Sequence, residues 1–305
     1  MEEPEKSINS YRGTGLIVSH DSGGADILSS LVKNNIFSFK ACLDGPAKSI
    51  FNNKIGAFDL ISLKDGIKNS DWVITSTSWA SDLEYQAIKQ ARKDKKFVVS
   101  LLDHWVNYKQ RFNHYNSLIL PNEIWVCDQY AYNLANDIFS NTLIKLIKNP
   151  LLLEFKKEFK FFQQKIIASE NLKLLFLSDN IEEALSKQYN DSNYWGYTDK
   201  TSFEFLYENF TVISNKISQI TIRSHPSESI NNYHWALDRY GPFVKISNKE
   251  SLADDIANHN IIAGSESMAM VLALYCGKDV ISCIPPGGKS CALPHKEILI
   301  LNRMI

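Results

Sequence analysis

The chain has 305 residues, with 33 Lys and Arg against 34 Asp and Glu, for a net charge of −1. That length makes two domains of ordinary size the prior, each with ample apolar core. Balanced charge without a basic block argues against nucleic acid as a partner.

Residues 1–13 are acidic and then polar, without the apolar stretch of a signal peptide, and no segment reaches the apolar length of a membrane span. Cys42, Cys127, Cys276, Cys283 and Cys291 are scattered without CxxC spacing and read as reduced thiols. A cytoplasmic protein without a metal site is the expectation.

Residues 14–19 (TGLIVS) form a β-rich run ending in HDSGG at 20–24. Residues 25–33 follow with Ile27, Leu28, Leu31 and Val32 on one helical face. Gly23 and Gly24 lack the spacing of a GxGxxG dinucleotide site, and there is no Walker lysine. Further strands are predicted at 37–42, 59–62, 72–77, 97–102 and 123–127, with helices at 80–92 and 129–139. Strands alternating with helices, without hairpin signals, make residues 1–150 a doubly wound α/β domain. His20, Asp21, Asp103, His104 and Asp128 stand at the carboxyl ends of these strands, the edge where such sheets bind ligands. Asp128 also has the position of a helix N-cap. The glycine pair after His20 and Asp21 reads as room for a substrate. Residues 102–112 (LDHWVNYKQRF) offer aromatic and Arg groups suited to a sugar.

Asn149 and Pro150 break the pattern. Residues 151–168 have helical spacing and bridge to a second sheet, opened by a strand at 172–177. The turn SDN (178–180) leads into a helix at 181–187, residues 189–201 read as an irregular loop, and 202–216 as a helix. Three short apolar runs then each end in a polar turn. Residues 220–222 lead into RSHP (223–226), 243–246 into Ser247 and Asn248, and 261–263 into GSES (264–267). A strand, a polar loop and a helix leave free N–H groups at the helix start, which favour a phosphate. Gly264 permits close backbone approach, Ser265 or Ser267 can cap the helix or donate to a phosphoryl oxygen, and Glu266 shares their turn. Arg223 and His225 would add charge-assisted bonds, so an electropositive pocket is expected. The bland alternatives are an ordinary Ser cap and a structural His before Pro.

This half resembles the C-terminal domain of GT-B glycosyltransferases and their sugar-nucleotide relatives. The RSHP turn resembles the His-Pro motif of bacterial sialyltransferases, polysialyltransferases and Kdo transferases. The GSES turn with GKDVI (277–281) resembles their later Ser motif. Related His-Pro turns occur in CDP-glycerol polymerases, and comparable sites in UDP-N-acetylglucosamine 2-epimerases. The match covers roughly the last third of the chain.

The resemblance implies two Rossmann-like doubly wound domains facing a cleft, an acceptor-side domain at 1–150 and a nucleotide-sugar-binding domain at 151–305. It implies that His225 contacts the phosphate of the activated sugar and that Ser247 and the backbone near Ile246 contact the nucleobase. Asp21 or His20 would deprotonate the acceptor hydroxyl, with Asp103 or His104 next in line. The implied reaction is metal-independent and cofactor-free. It moves a sugar from a nucleotide donor, CMP-linked keto sugar before UDP-sugar, to a glycan or lipid-linked glycan in bacterial surface polysaccharide synthesis. Peripheral association with membrane machinery is compatible with it. The alternatives are a UDP-sugar hydrolase or 2-epimerase on the same scaffold, and a non-catalytic nucleotide-sugar-binding or assembly protein.

Overall fold

The computed structural model describes residues 11–35, 37–78, 81–114, 116–166 and 170–305. The predicted helix start at Ala80 and helix end at Ala168 lie outside the described residues, as do residues 1–10. The chain divides into two compact units after Glu154.

In the first unit β1 (Gly15–Ser19), β2 (Phe39–Leu43), β3 (Trp72–Thr75), β4 (Phe97–Leu101), β5 (Glu123–Val126) and β6 (Leu143–Leu146) form one sheet. Its order is β2-β1-β3-β4-β5-β6, and every pairing is parallel. Helices cover both faces of such a sheet, so its inner strands are apolar without alternation. Leu16, Ile17 and Val18 are all fully buried. The connections carry α1 (Ser22–Lys33), α2 (Pro46–Ile55), α3 (Leu63–Lys68), α4 (Leu83–Lys93), α5 (Tyr108–Arg111) and α6 (Gln129–Ile138). Asp128 caps α6, accepting the Ala131 N–H at 2.7 Å.

One strand expectation is corrected here, and two pairings come in addition to those predicted. Residues 59–62 make only a bridge from Leu60 to Ala41, because Ser62 turns away to cap α3. Strand β6 went unpredicted: it is a sheet edge with Leu143 exposed, so LIKL lacks the apolar run of a buried strand. A small antiparallel pair, Asn113–His114 with Ser117–Leu118, was likewise too short to signal itself.

The division between units falls inside α7 (Pro150–Gln163). In the second unit β7 (Leu172–Leu177), β8 (Ile217–Arg223), β9 (Val244–Ile246), β10 (Ile261–Gly264), β11 (Asp279–Ser282) and β12 (Leu299–Ile300) make another parallel sheet. Its order is β9-β8-β7-β10-β11-β12. The helices are α8 (Ile181–Tyr189), α9 (Asp199–Ile213), α10 (His234–Tyr240), α11 (Leu252–Asn258) and α12 (Met268–Tyr275). A capping box between Thr198 and Thr201 starts α9 earlier than its apolar spacing alone indicated. Phe176 and Phe203 meet edge-on at 5.2 Å in the core. Among the described residues no helix is long and apolar enough to cross a membrane.

Both sheets are doubly wound. The first reverses direction between β1 and β3, the second between β7 and β10. At such a reversal neighbouring crossovers leave on opposite faces and open a crevice beyond the strand ends.

Candidate functional site

The crevice of the first unit is lined by the loops after β1 and β3. His20 Nδ1 lies 2.7 Å from Asp21 Oδ1, and the same carboxylate oxygen accepts the Ser78 hydroxyl at 2.7 Å. A carboxylate only accepts, so Nδ1 carries a proton and Nε2 is the ring nitrogen turned away from Asp21. Gly45, at φ +50°, makes room for that nitrogen: a Cβ there would sit 2.6 Å from Nε2. His20 and Asp21 thus form an oriented dyad.

Glu84 on α4 holds the dyad's loop from below. Its Oε1 accepts the His20 N–H at 2.8 Å and the Ser76 hydroxyl at 2.9 Å, and Ser76 lies 2.8 Å from the Ser19 hydroxyl. Oε2 is buried with no hydrogen-bond partner among the described residues. Burial pushes the Glu84 carboxyl up to about 7, against the pull of the Ser76 bond. The group therefore binds its proton more tightly folded than unfolded. That contribution to stability is complete below about pH 4.5 and is lost as pH rises through 7. At about 1.4 kcal/mol per pKa unit it amounts to roughly 2–4 kcal/mol. Urea midpoints of wild type are expected to fall between pH 5 and pH 8, and Glu84→Gln to flatten that fall.

Asp103, after β4, reaches the same edge, but its Oδ1 accepts Arg111 Nη1 at 3.1 Å and Thr77 Oγ1 at 3.3 Å. His104 Nδ1 accepts the N–H of Trp105 at 3.0 Å. The dyad is thus the better oriented of the two candidate pairs. The glycine pair does not leave open space: a Cβ on Gly23 would meet Asp103 Oδ2 at 2.5 Å, and one on Gly24 would meet Ser76 Cβ at 2.3 Å. Both glycines let the first turn of α1 pack against neighbouring loops. The aromatic residues of 102–112 serve the core rather than a sugar platform. Tyr108 and Phe112 are buried against Phe139, and Trp105 donates Nε1–H to Asp128 at 2.8 Å.

In the second unit the reversal sets the loop after β7 beside the loop after β10. The RSHP loop lies one strand further out. At strand spacing, His225 and the GSES turn start about 10 Å apart on one carboxyl edge. The three loops are tied together. Asn180 donates to Ser227 at 2.8 Å, Ser178 to Glu228 at 2.5 Å, and the Glu266 N–H to Asp179 Oδ2 at 3.1 Å.

His225 Nδ1 lies 2.7 Å from the Ser227 hydroxyl and 3.3 Å from the Ser227 N–H, so this side of the ring is held by its own turn. No protein partner of Nε2 is found among the described residues, and the residue is exposed. Partial burial of the ring lowers the His225 pKa, against the opposite pull of Glu228 and Glu183. Ser267 precedes α12, and its Oγ makes no capping bond. Ser265 is fully buried, with its hydroxyl 3.3 Å from Ser202. Gly264 meets a packing need, since a Cβ would come within 3.1 Å of the Leu177 carbonyl oxygen. Glu266 accepts from Lys289 at 2.6 Å and from the Ala292 N–H at 2.8 Å.

Arg223 and Ser247 turn to another partner. Both donate to Asp255 Oδ2, each at 2.5 Å, and Arg223 also reaches the carbonyls of Lys249 and Glu250. The edge is not electropositive as expected. A cavity of about 430 Å³ beside it is lined by Glu182, Glu183, Asp199 and Glu228, with Lys200, Trp235 and Tyr233. The Asp199 carboxylate occupies the anion position at α8, accepting the N–H groups of Asp179 at 2.9 Å and Ile181 at 2.7 Å. Burial, then the Asp179 charge, raises Asp199 to about 7; burial raises Asp179 to about 6. The sequence shows a turn at 178–180 but gives no sign that acids from α9 and the His-Pro loop close on it.

No family model matches the sequence, and no curated protein matches it. Solved structures do match in fold. UDP-GlcNAc 2-epimerase from Neisseria meningitidis bound to UDP-GlcNAc superposes with a TM-score of 0.56 at 12% identity, over 88% of this chain and 82% of that one. The S. aureus MnaA–UDP co-structure superposes with a TM-score of 0.56 at 9% identity, over 89% of this chain and 79% of that one. KpsC of Thermosulfurimonas dismutans, a beta Kdo 2,4 transferase, reaches a TM-score of only 0.32 at 13% identity, over 73% and 72% of the two chains. Identities this low speak to fold alone, and the fold is the GT-B type of α/β protein with two parallel Rossmann-like sheets.

Proposed function

We propose that this chain transfers a sugar from a nucleotide-activated donor to a hydroxyl acceptor. The observation that carries the reading is the placement, on one sheet edge, of the exposed His225 ring and the start of α12 at Ser267. Charge develops on the leaving nucleotide phosphate. Donors held in place for it stabilise the transition state more than the ground state. The His20–Asp21 dyad is suited to take the acceptor proton through Nε2. The His-Pro and Ser turns lean toward a CMP-linked acidic keto sugar, whereas the carboxylates of the nearby cavity favour an uncharged sugar. A glycan or lipid-linked acceptor, and a place in surface polysaccharide synthesis, belong to the same proposal.

A thermal-shift panel of CMP, CDP, UDP and GDP tests it. By mass action, a nucleotide at a hundred times its Kd adds about 2.7 kcal/mol to the state that binds it. His225→Ala is expected to weaken the nucleotide that registers by about 10- to 100-fold in calorimetry, the worth of a hydrogen bond to a charged group. Absence of any shift across the panel would overturn the reading.

A second reading is hydrolysis or 2-epimerisation of a UDP-sugar. The two solved structures at TM-score 0.56, one bound to UDP-GlcNAc and one to UDP, favour it. Free sugar or epimer formed without any acceptor would select it.

A further inference from the structure

One side of α7 packs into the second unit and the other meets water. Phe155 and Phe159 are buried, and Lys278 Nζ stands 5.4 Å from the centre of the Phe159 ring. Glu158 accepts at 2.5 Å from the hydroxyl of Ser251, the N-cap of α11. These contacts fix which residues the helix turns outward. They are Lys157, Lys160 and Phe161, followed just past the helix end by Lys165 and Ile166. Phe161 is 55% exposed and Ile166 38%. Residues four apart on a helix share a face, so Lys157 and Phe161 are neighbours. Lys165 Nζ lies 3.7 Å from the centre of the Phe161 ring and 5.7 Å from that of Phe162, and the two rings meet edge-on at 5.3 Å. Ammonium and phenyl groups are interleaved in one patch.

The charge of this stretch departs from that of the chain. Residues 155–166 carry four Lys against one Glu, whereas the whole protein has a net charge of −1. A polyanion alone would take the lysines and leave Phe161 and Ile166 in water. A second copy docking by the same face would set lysines against lysines, because a two-fold interface pairs a patch with itself. An anionic bilayer surface satisfies both kinds of group. The rings enter the boundary between headgroups and acyl chains, while the ammonium groups stay at phosphate level on their flexible stems.

We propose that the outer side of α7, centred on Phe161, docks on the surface of an anionic lipid bilayer. A lysine held near such a surface gains about fivefold in binding, so Lys157, Lys160 and Lys165 together supply roughly a hundredfold. That attraction is screened by salt, as the Debye length shortens from about 10 Å at 0.1 M to about 3 Å at 1 M.

Co-sedimentation of the full chain with vesicles is the test, using phosphatidylcholine alone and phosphatidylcholine mixed equally with phosphatidylglycerol. Wild type is expected to pellet with the mixed vesicles, to bind phosphatidylcholine alone at least about tenfold more weakly, and to be released by high salt. The combined change Lys157→Gln, Lys160→Gln and Lys165→Gln is expected to lose roughly a hundredfold in affinity for the mixed vesicles. Phe161→Ser is expected to lose about tenfold, the worth of an apolar side chain taken from water. Both act on exposed side chains, so urea midpoints should stay at wild type; Phe161→Ser keeps the test open should the lysine variant not fold. A matched control, Lys64→Gln with Lys68→Gln and Lys93→Gln, removes the same charge from exposed lysines of the first unit and is expected to bind as wild type. Equal loss in that control, or wild-type affinity in Phe161→Ser, overturns the proposal. So does a wild type that fails to pellet with the mixed vesicles. A dimer in light scattering that Phe161→Ser dissociates would then give the face to a second copy. Vesicle binding needs no nucleotide, so its failure leaves the sugar-transfer reading untouched.

Discussion

Asp21→Asn is expected to lower turnover by roughly 10²–10⁴-fold, the span that a positioned base supplies, while nucleotide affinity stays unchanged. Asp21 Oδ1, 2.7 Å from His20 Nδ1, decides which ring nitrogen carries the proton and supplies the charge that stabilises the imidazolium once Nε2 has accepted one. An Asn at this place fills the same volume but brings no charge, and its amide can present the wrong group to Nδ1. The test is steady-state turnover with whichever donor's nucleotide passes the thermal-shift panel, alongside calorimetry of that nucleotide. Turnover preserved in the variant would move the base to Asp103 or His104, despite the Arg111 partner of the first. Nucleotide affinity lost with turnover would mean that the dyad serves binding. Gly45→Ala acts on the same ring, since its Cβ would come within 2.6 Å of Nε2, and at φ +50° it also strains the turn.

The layer architecture was legible because parallel strands with helices on both faces must be continuously apolar, as in LIV at 16–18 and IIA at 261–263. Edge strand β6 was not, because one exposed face removes that signal, whereas 59–62 read as a strand and makes only the bridge at Leu60. Polar turns at strand ends marked the right edge of both sheets. What sequence could not show is which of their side chains the protein uses internally. Arg223 lies in the motif that suggested a phosphate ligand, yet its partner Asp255 is on α11, and nothing in RSHP announces that pairing. Glu84 stands on a helix that reads as an ordinary amphipathic segment, and only the fold brings its carboxyl under His20. The glycines after Asp21 suggested space for a ligand, but the space is filled by Asp103 and Ser76. Local pattern reports the backbone path, whereas pairings across many residues depend on where the crossovers return.

Asp255→Ala is expected to destabilise the second unit by roughly 3–5 kcal/mol, the loss seen when one partner of a buried ion pair is removed. Asp255 is 2% exposed, and its Oδ2 takes both Arg223 Nη1 and the Ser247 hydroxyl. Without it, the guanidinium keeps only backbone carbonyls, which carry no countercharge. Against a typical total of about 5–15 kcal/mol, that loss should appear as a lower urea midpoint. The apolar double replacement Arg223→Met with Asp255→Leu separates structure from binding. Well-packed apolar residues can stand in for a buried pair with little loss, so most stability should return. If Arg223 serves only this pair, UDP or CMP affinity in the double variant should match wild type. A drop of tenfold or more in a variant that has regained its stability would instead return Arg223 to the phosphate and place the anion between β8 and α11 rather than at the start of α12.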